Sequence, residues 1–287
     1  MRRLFLALVM LFAITAHADK KPKPTPRWET LPMPPAMPPS ASTGFVDVGV
    51  AKIFYATYGK GTTPVILLHG GLGNSDHFGF QVPALLENYK VIAIDSRGQG
   101  RSTLSTKTKL SYHVMANDVL AVMDALKIDA AALVGWSDGG AIALDIAINH
   151  PKRVSKLFVF GTNYHADGSK PRRGPSPKTF NQYVVKCKSD YMKMSKTPSS
   201  YDTMVGTLVP IWRSAGGFTK DQMRSIKAPT VIADGDHDEI IFLDHIKEMA
   251  LLIPNAKLVV FENASHFAIW QAPEAFNKAL VEFLDAK

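Results

Sequence analysis

Residues 134–140 read Val-Gly-Trp-Ser-Asp-Gly-Gly, and this stretch decides the fold. It contains a G-x-S-x-G pattern centred on Ser137, between an apolar run at 130–134 and a helix-like run at 141–148. That order is typical of a nucleophile elbow, in which a strand turns sharply into a helix and lifts a serine above the edge of a sheet. Such a turn strains the backbone at the serine, so its neighbours must be small, and the flanking glycines meet that need.

A serine hydroxyl is a weak nucleophile at neutral pH, so it needs a base, and the base needs a group that orients it. In elbow proteins the acid and then the histidine follow the serine along the chain. His266, in the loop after an apolar strand at 258–261, is the candidate base. Asp238 is the preferred acid because it lies deepest in the preceding strand's loop, and Asp234 and Asp236 are the alternatives.

A glycine-rich loop upstream is a candidate oxyanion hole. A strand of buried type at 64–68 runs into residues 69–73, which read His-Gly-Gly-Leu-Gly. Backbone N–H groups in such a loop can point at a developing negative charge. The N–H groups of Gly71 and Asp138 are the predicted donors, with Leu72 as an alternative to Gly71.

Across residues 45–285 the chain resembles an α/β-hydrolase with a small inserted cap. Four motifs carry the resemblance, namely His-Gly-Gly at 69–71, Asp-Ser-Arg-Gly-Gln-Gly-Arg-Ser at 95–102, the elbow, and Ser-His-Phe at 265–267. The elbow itself is similar to that of the valacyclovir-hydrolase-like (biphenyl-hydrolase-like) esterases. The resemblance implies the same roles for the serine, the acid and the histidine, and it implies that Asp95 and Arg97 only brace the floor of the site.

Three side chains near the nucleophile have more than one interpretation. Trp136 and Asp138 flank the serine, and both are predicted to contact substrate. The Asp138 carboxylate suits a substrate ammonium, as the resemblance to amino-acid-ester hydrolases implies, or it stabilises the N-terminus of the next helix. His69 is interpreted as a structural hydrogen-bonding residue rather than a catalytic one.

Strand-like and helix-like segments alternate along the chain, which predicts an α/β-hydrolase fold of the α/β class: a mostly parallel eight-stranded sheet with helices on both faces. An opening antiparallel pair is expected at 45–48 and 53–58. Further strands are expected at 65–68, 91–95, 131–136, 156–160, 230–233 and 258–261, and helices at 112–126, 139–149, 243–252 and 273–284. The alternation stops at about 162–227, where a small cap insertion is expected.

The cap segment is basic and contains scattered apolar side chains. Eight lysines and arginines between 162 and 198 face only two acids, which indicates either a solvated surface or attraction of anionic substrates or an anionic envelope surface. Its apolar residues would either line an acyl pocket or simply pack the cap on the core: Phe180, Tyr183, Met192, Met194, Met204, Trp212 and Phe218.

The beginning of the chain has the pattern of a signal peptide, assigned to residues 1–18. Two arginines precede eleven apolar residues at 4–14, and Ala-His-Ala ends at Ala18. We expect cleavage after Ala18 and a periplasmic or secreted protein, since eleven apolar residues are too few for a stable membrane anchor, although a short anchor is the alternative. A proline-rich linker at 19–42 and the hydrolase domain at 43–287 follow, with eight prolines in the linker.

Charge and cysteine content exclude other classes of function. The formal net charge of +8 falls to +3 without residues 1–27, which carry six basic residues and one acid. We therefore expect no nucleic-acid partner, because no concentrated basic face remains in the core domain. The single cysteine, Cys187, permits no internal disulfide.

These patterns together predict an exported serine hydrolase, a carboxylesterase-like enzyme that cleaves esters or related small acyl substrates through an acyl-enzyme. It requires no metal and no organic cofactor, and its partner is a small-molecule acyl substrate, with no oligomeric state implied. Aminopeptidase or amidase, lactonase, C–C hydrolase and perhydrolase chemistry use the same triad and stay open. A ligand-binding receptor of the same fold and an envelope-attachment protein with a basic tail are the non-enzymatic alternatives.

Overall fold

The structure, a computed structural model, describes residues 24–171, 176–214 and 217–286. Within those residues eight strands form one sheet: β1 (Ser42–Asp47), β2 (Lys52–Tyr58), β3 (Thr63–Leu68), β4 (Tyr89–Ile94), β5 (Ala131–Trp136), β6 (Val154–Phe160), β7 (Thr230–Gly235) and β8 (Ala256–Phe261). The same residues form nine α-helices: α1 (Gln81–Leu85), α2 (Tyr112–Ala125), α3 (Asp138–Asn149), α4 (Lys178–Met194), α5 (Tyr201–Ser214), α6 (Lys220–Ser225), α7 (Leu243–Leu252), α8 (Ala268–Gln271) and α9 (Pro273–Asp285). The expected signal peptide and its cleavage point lie outside the described residues.

The sheet is antiparallel at one edge and parallel elsewhere. Its order is β1-β2-β4-β3-β5-β6-β7-β8, in which β2 runs antiparallel to both β1 and β4 and all other neighbours are parallel. This confirms the mostly parallel eight-stranded sheet predicted from the sequence. The strand order reverses around β3 and β5, and open α/β sheets bind ligands at such a point, beyond the carboxyl ends of their strands.

The central strands are apolar on both faces because helices cover both faces of the sheet. All six residues of β5 are buried, and so are all six of β7. The edge strand β1 is exposed or half-buried along its whole length, so it carries Ser, Thr and Asp. Local signals also set the helix ends, since the Ser111 hydroxyl accepts the N–H of Val114 (3.1 Å) and caps α2.

The segment expected to form the cap lies between β6 and β7. This part of the chain carries α4, α5 and α6, of which α4 and α5 contact each other and reach over the carboxyl ends of the strands. Tyr183, on α4, donates its hydroxyl to the carbonyl oxygen of Gly71 (2.9 Å) in the loop after β3. Among the described residues, no helix combines the length and the apolar character needed to cross a bilayer.

The described part of the proline-rich segment, residues 24–41, lies along the domain and is called the N-terminal strap below. Gln271 donates its amide N–H groups to the carbonyl oxygens of Trp28 (3.2 Å) and Thr30 (2.7 Å). Arg27 donates to the carbonyl oxygen of Asn263 (3.1 Å), in the loop after β8. The strap is therefore part of the domain surface and is not a free spacer.

Candidate active site

Ser137 occupies the sharp turn between β5 and α3. Its φ of 53° and ψ of −118° are unfavourable for a side chain, so the surrounding packing must hold them. A Cβ at Gly135 would lie 2.4 Å from the carbonyl oxygen of Gly139, and a Cβ at Gly139 would lie 2.1 Å from that of Leu68. Only glycine fits at these two positions, which explains the spacing seen in the sequence.

His266 and Asp238 meet as the sequence predicts, although they belong to loops after different strands. Asp238 follows β7 and His266 follows β8, and Nδ1 of the imidazole lies 2.6 Å from Oδ2 of the carboxylate. Burial opposes charge on the ring, but the charge of Asp238 and this hydrogen bond outweigh it and raise the pKa of His266 above 6.5. Burial likewise opposes ionisation of Asp238, but His266 and backbone N–H donors lower its pKa. The charge and hydrogen bond within this pair therefore stabilise a protonated ring.

Two further hydrogen bonds fix the backbone of His266. The carboxylate of Glu239 accepts its N–H (3.1 Å), and its carbonyl oxygen accepts the indole N–H of Trp136 (3.1 Å). Trp136 is only 1% exposed and lies among other aromatic rings, so its visible role is to hold the histidine. It also contributes to the lining of the cavity, and its contact with substrate stays a prediction. The sequence carried no signal for Glu239, because its partners are distant in the chain.

Asp234 and Asp236, the two alternatives to Asp238, have other partners in the structure. Asp236 accepts the N–H groups of Asn263 (3.0 Å) and Ala264 (3.1 Å), so it ties this loop to the one that carries His266. Asp234 is fully buried behind Asp238. The His266 ring is hydrogen-bonded to Asp238 and not to either alternative.

The predicted oxyanion loop borders the same cavity as Ser137. Gly71, Leu72 and Asp138 all line it. Leu72 has a φ of 66°, and a Cβ added at Gly71 would lie 2.5 Å from Oδ2 of Asp138, so the loop requires glycine at 71. Which backbone N–H pairs with that of Asp138 stays a prediction, with Gly71 preferred to Leu72.

The Asp138 carboxylate is buried between the core and the cap. It accepts the hydroxyl of Tyr112 (2.8 Å) and the indole N–H of Trp212 (2.9 and 3.0 Å to its two oxygens). Burial raises the pKa of Asp138, while these two donors act in the opposite direction. Both donors are neutral, so the site holds a carboxylate whose hydrogen-bonding partners carry no compensating charge. Neither Tyr112 nor Trp212 was expected at this position from the sequence.

The loop after β3 and the loop after β4 brace each other below the site. His69 is buried, with Nδ1 2.8 Å from the carbonyl oxygen of Gly70 and Nε2 accepting the N–H of Ser96 (2.9 Å). Burial lowers the pKa of His69 to about 4, so the ring is neutral and structural, as the sequence interpretation held. Asp95 accepts the N–H of Ser75 (2.7 Å) and likewise serves the framework.

A cavity of about 660 Å³ opens between the cap and the ends of the strands, and it contains Ser137 and His266. It is lined by apolar, acidic and basic side chains: Phe180, Tyr183, Val209, Trp212, Ile240, Ile241, Asp138, Glu239, Lys170 and Arg213. Three of the aromatic residues expected for an acyl pocket therefore do line it. Met204 and Phe218 are instead buried in the core, and Met192 is half exposed.

The cap touches each loop that carries a site residue. The hydroxyl of Thr179 donates to Glu239 (2.6 Å), and the amine of Lys170 donates to the carbonyl oxygen of Asp238 (2.5 Å). Trp212 reaches Asp138 from α5, as described above. The cap therefore positions the site as well as covering it, and Lys170 is one basic residue whose charge is turned inward.

Known proteins resemble this chain over most of its length. A family model for the alpha/beta hydrolase fold matches residues 63–195. The 2-hydroxy-6-oxo-6-phenylhexa-2,4-dienoate hydrolase of Comamonas testosteroni is 29% identical over 268 residues, covering 83% of this chain and 93% of that protein. The solved structure of Est816, described as an N-acyl homoserine lactone degrading enzyme, is 28% identical with a TM-score of 0.65, and the match covers 84% of this chain and 100% of that protein. The meta-cleavage product hydrolase CumD of Pseudomonas fluorescens shares the fold, with 23% identity and a TM-score of 0.70. The match covers 86% of this chain and 98% of that protein.

The fold, the elbow and these relatives define the class. The chain is a member of the α/β-hydrolase superfamily, and it is an enzyme, a hydrolase with a small-molecule substrate.

Proposed function

We propose that this hydrolase cleaves a small acyl substrate through a covalent acyl-enzyme on Ser137. The observation that carries the proposal is that the strained Ser137 shares one cavity with His266, whose ring is held 2.6 Å from Asp238. In this scheme the Ser137 oxygen attacks the carbonyl carbon while Nε2 of His266 takes its proton. The N–H groups of Gly71 and Asp138 stabilise the oxyanion.

The second half of the reaction returns the enzyme to its starting state. His266 gives its proton to the leaving group as the bond to the carbonyl carbon breaks, which leaves the acyl group on Ser137. Water then attacks the acyl carbon and gives a proton to His266, which passes it to the Ser137 oxygen as the bond to the acyl carbon breaks and the acid is released. Asp238 keeps the required tautomer and balances the charge of the imidazolium.

We propose further that the preferred acyl group carries an ammonium near its carbonyl. The Asp138 carboxylate lies directly after the nucleophile and receives only neutral donors, Tyr112 and Trp212. Burial of a carboxylate whose hydrogen-bond donors are neutral is costly, and it raises the pKa of Asp138 although the charge of His266 acts the other way; a substrate cation reduces that cost. This favours amino-acid esters and related compounds over uncharged esters.

C–C bond hydrolysis is the second candidate, because the relative from Comamonas testosteroni is named for a dienoate hydrolase. Such a substrate is an anion, and the amine of Lys170 and the guanidinium of Arg213 at the cavity wall are groups that attract one. Lactone opening belongs to the first candidate chemically, since a lactone is a cyclic ester. A panel containing an α-amino ester, the matching ester without the amine, a lactone and an oxo-dienoate separates these candidates by kcat/KM.

A fluorophosphonate probe tests the nucleophile without knowledge of the substrate, because only an activated serine reacts with it. Wild type should be labelled and Ser137→Ala should not. Ser169→Ala is the matched control, since Ser169 lines the same cavity and should leave labelling intact. Labelling that survives Ser137→Ala would overturn the proposal.

We also propose export after cleavage at Ala18. This rests on the residues at 1–18 alone and is tested below by sequencing the N-terminus.

A further inference from the structure

A second carboxyl group lies buried behind the triad acid. Asp234 ends the apolar run of β7, and its side chain is 0% exposed. One of its oxygens, Oδ1, accepts the N–H of Gly235 (2.8 Å). The other, Oδ2, is buried and has no N–H or hydroxyl donor among the described residues. An unpartnered buried oxygen of this kind needs an explanation.

The carboxyl groups of Asp234 and Asp238 lie within hydrogen-bond range of each other. Two adjacent buried carboxyl groups cannot both be ionised without strong compensation, so one of them keeps a proton. Asp238 is the better anion, because it already accepts the N–H groups of Ile240 and Ile241 and the ring of His266. The proton therefore belongs on Asp234.

The charged groups around the pair agree with this assignment. Burial and the charge of Asp238 raise the pKa of Asp234 well above its ordinary value, and the Lys170 amine acts only weakly against them. Glu239 and Asp138 act on His266 instead, and both raise the pKa of its ring, which suits an ionised Asp238 beside a charged imidazolium. Lys170 itself donates to the carbonyl oxygen of Asp238 and not to either carboxylate oxygen.

We infer that Asp234 is a neutral carboxylic acid in the working enzyme and that its O–H donates a hydrogen bond to the Asp238 carboxylate. This rests on the triad role of Asp238 in the proposed function. Asp234 is then a positioning residue, because it fixes the carboxylate that orients His266. Its hydrogen bond also reduces the negative charge that the Asp238 carboxylate presents to the imidazolium. Its neutrality avoids a second anion beside the triad.

Infrared difference spectra test the protonation state without any turnover. At neutral pH, the spectrum of wild type minus Asp234→Asn should contain the carbonyl band of a protonated carboxyl group. The control difference, wild type minus Asp221→Asn, should contain the bands of an ionised carboxylate, since Asp221 is exposed on α6. Carboxylate bands in the Asp234 difference would overturn the inference.

The pKa of His266, measured by NMR titration in a Ser137→Ala background, tests the charge independently. Asparagine at 234 keeps a donor and the neutral charge, so the pKa of His266 should move by less than about 0.3 units. If Asp234 were ionised, its removal would lower that pKa by about 1 unit or more, because a nearby anion would be lost. Such a fall would overturn the inference even if the proposed catalytic role of Ser137 were correct.

Turnover of the best substrate in the panel tests positioning. Asp234→Ala should lower kcat about fivefold with little change in KM, which is the loss expected for one neutral hydrogen bond. It should also move the acid limb of the pH profile to higher pH, because the Asp238 carboxylate no longer shares its negative charge with a donor and raises the pKa of His266 further. Asp234→Asn should restore both. An Asp234→Asn enzyme as impaired as Asp234→Ala would contradict the donor role. If Asp234→Ala kept its activity while the Ser137 and His266 variants lost theirs, the positioning role of Asp234 would be wrong and the proposed function would stand.

Discussion

Replacing Asp238 by asparagine tests the choice of triad acid more sharply than deleting its side chain. In the structure Oδ1 accepts the N–H groups of Ile240 (2.5 Å) and Ile241 (2.8 Å), and Oδ2 faces Nδ1 of His266 (2.6 Å). An asparagine has one oxygen and one NH₂ group, and its oxygen must take the side with two backbone donors. Its NH₂ group is therefore forced towards His266.

That arrangement selects the wrong imidazole tautomer. Nδ1 must accept a hydrogen bond, so the ring proton moves to Nε2, which then has no lone pair for the proton of Ser137. The expected loss in kcat is about 10⁴-fold. At 1.36 kcal/mol for each factor of ten, this equals about 5.4 kcal/mol of lost transition-state stabilisation. KM should change little, since Asp238 acts through His266.

Initial rates on the best ester of the panel, together with thermal unfolding to confirm the fold, measure this loss. Asp236→Asn is the matched control, because Asp236 lies two residues away and contacts the backbone of Asn263 and Ala264 and the ring of His237, but not His266. Its loss should stay below about tenfold. An Asp238→Asn enzyme with an intact fold and a rate within about tenfold of wild type would refute the reasoning.

Four other outcomes are expected. Ser137→Ala and His266→Ala should each lower kcat by about 10⁴-fold or more, and the double variant should be little worse, because triad members act as a unit; additive losses would contradict a shared mechanism. The profile of kcat/KM should fall on acidification with an apparent pKa above 6.5, since the base must be neutral and Asp238 raises its pKa, and a limb well below that value would argue against the pair. Asp138→Asn should lower kcat/KM for an α-amino ester by about 1–3 kcal/mol and spare the matching ester without the amine, whereas equal losses would assign Asp138 to the elbow or helix terminus. N-terminal sequencing of exported material should begin at Asp19, and a mature protein that retains the apolar segment would indicate an anchor.

The sheet, the turn at Ser137 and the contact between Asp238 and His266 were predictable because each depends on signals that the sequence carries locally. An apolar run such as that of β5 must be a buried strand when a helix-like run follows it, and all eight expected strands occur within a few residues of their predicted limits. The glycines beside Ser137 are visible in the sequence, and their spacing indicates a turn too tight for any larger side chain. Once the elbow is recognised, the order of the parallel strands brings the loops of Asp238 and His266 to one edge of the sheet.

The cap and the environment of the site were not predictable in the same way. α4 is rich in lysine, so its pattern resembles a solvated surface, although Tyr183 on its inner side reaches the loop of Gly71. The contact between Trp212 and Asp138 joins residues 74 positions apart, and the sequence around neither residue predicts it. Long-range contacts of polar side chains depend on the docked positions of whole helices, which hydrophobic spacing does not fix.

The N-terminal strap gives this enzyme an unusual weak point. The loop that carries His266 is held on one side by Asp236 and on the other by Arg27, and Trp28 stacks on His237 with ring centres 4.8 Å apart. None of these strap contacts supports the sheet, whose first strand begins only at Ser42. A protease that trims the chain only as far as Trp28 would remove these contacts and leave Leu31 and Met37 packed on the core. The loop of His266, the proposed base, would then be less firmly held, so inactivation would precede unfolding.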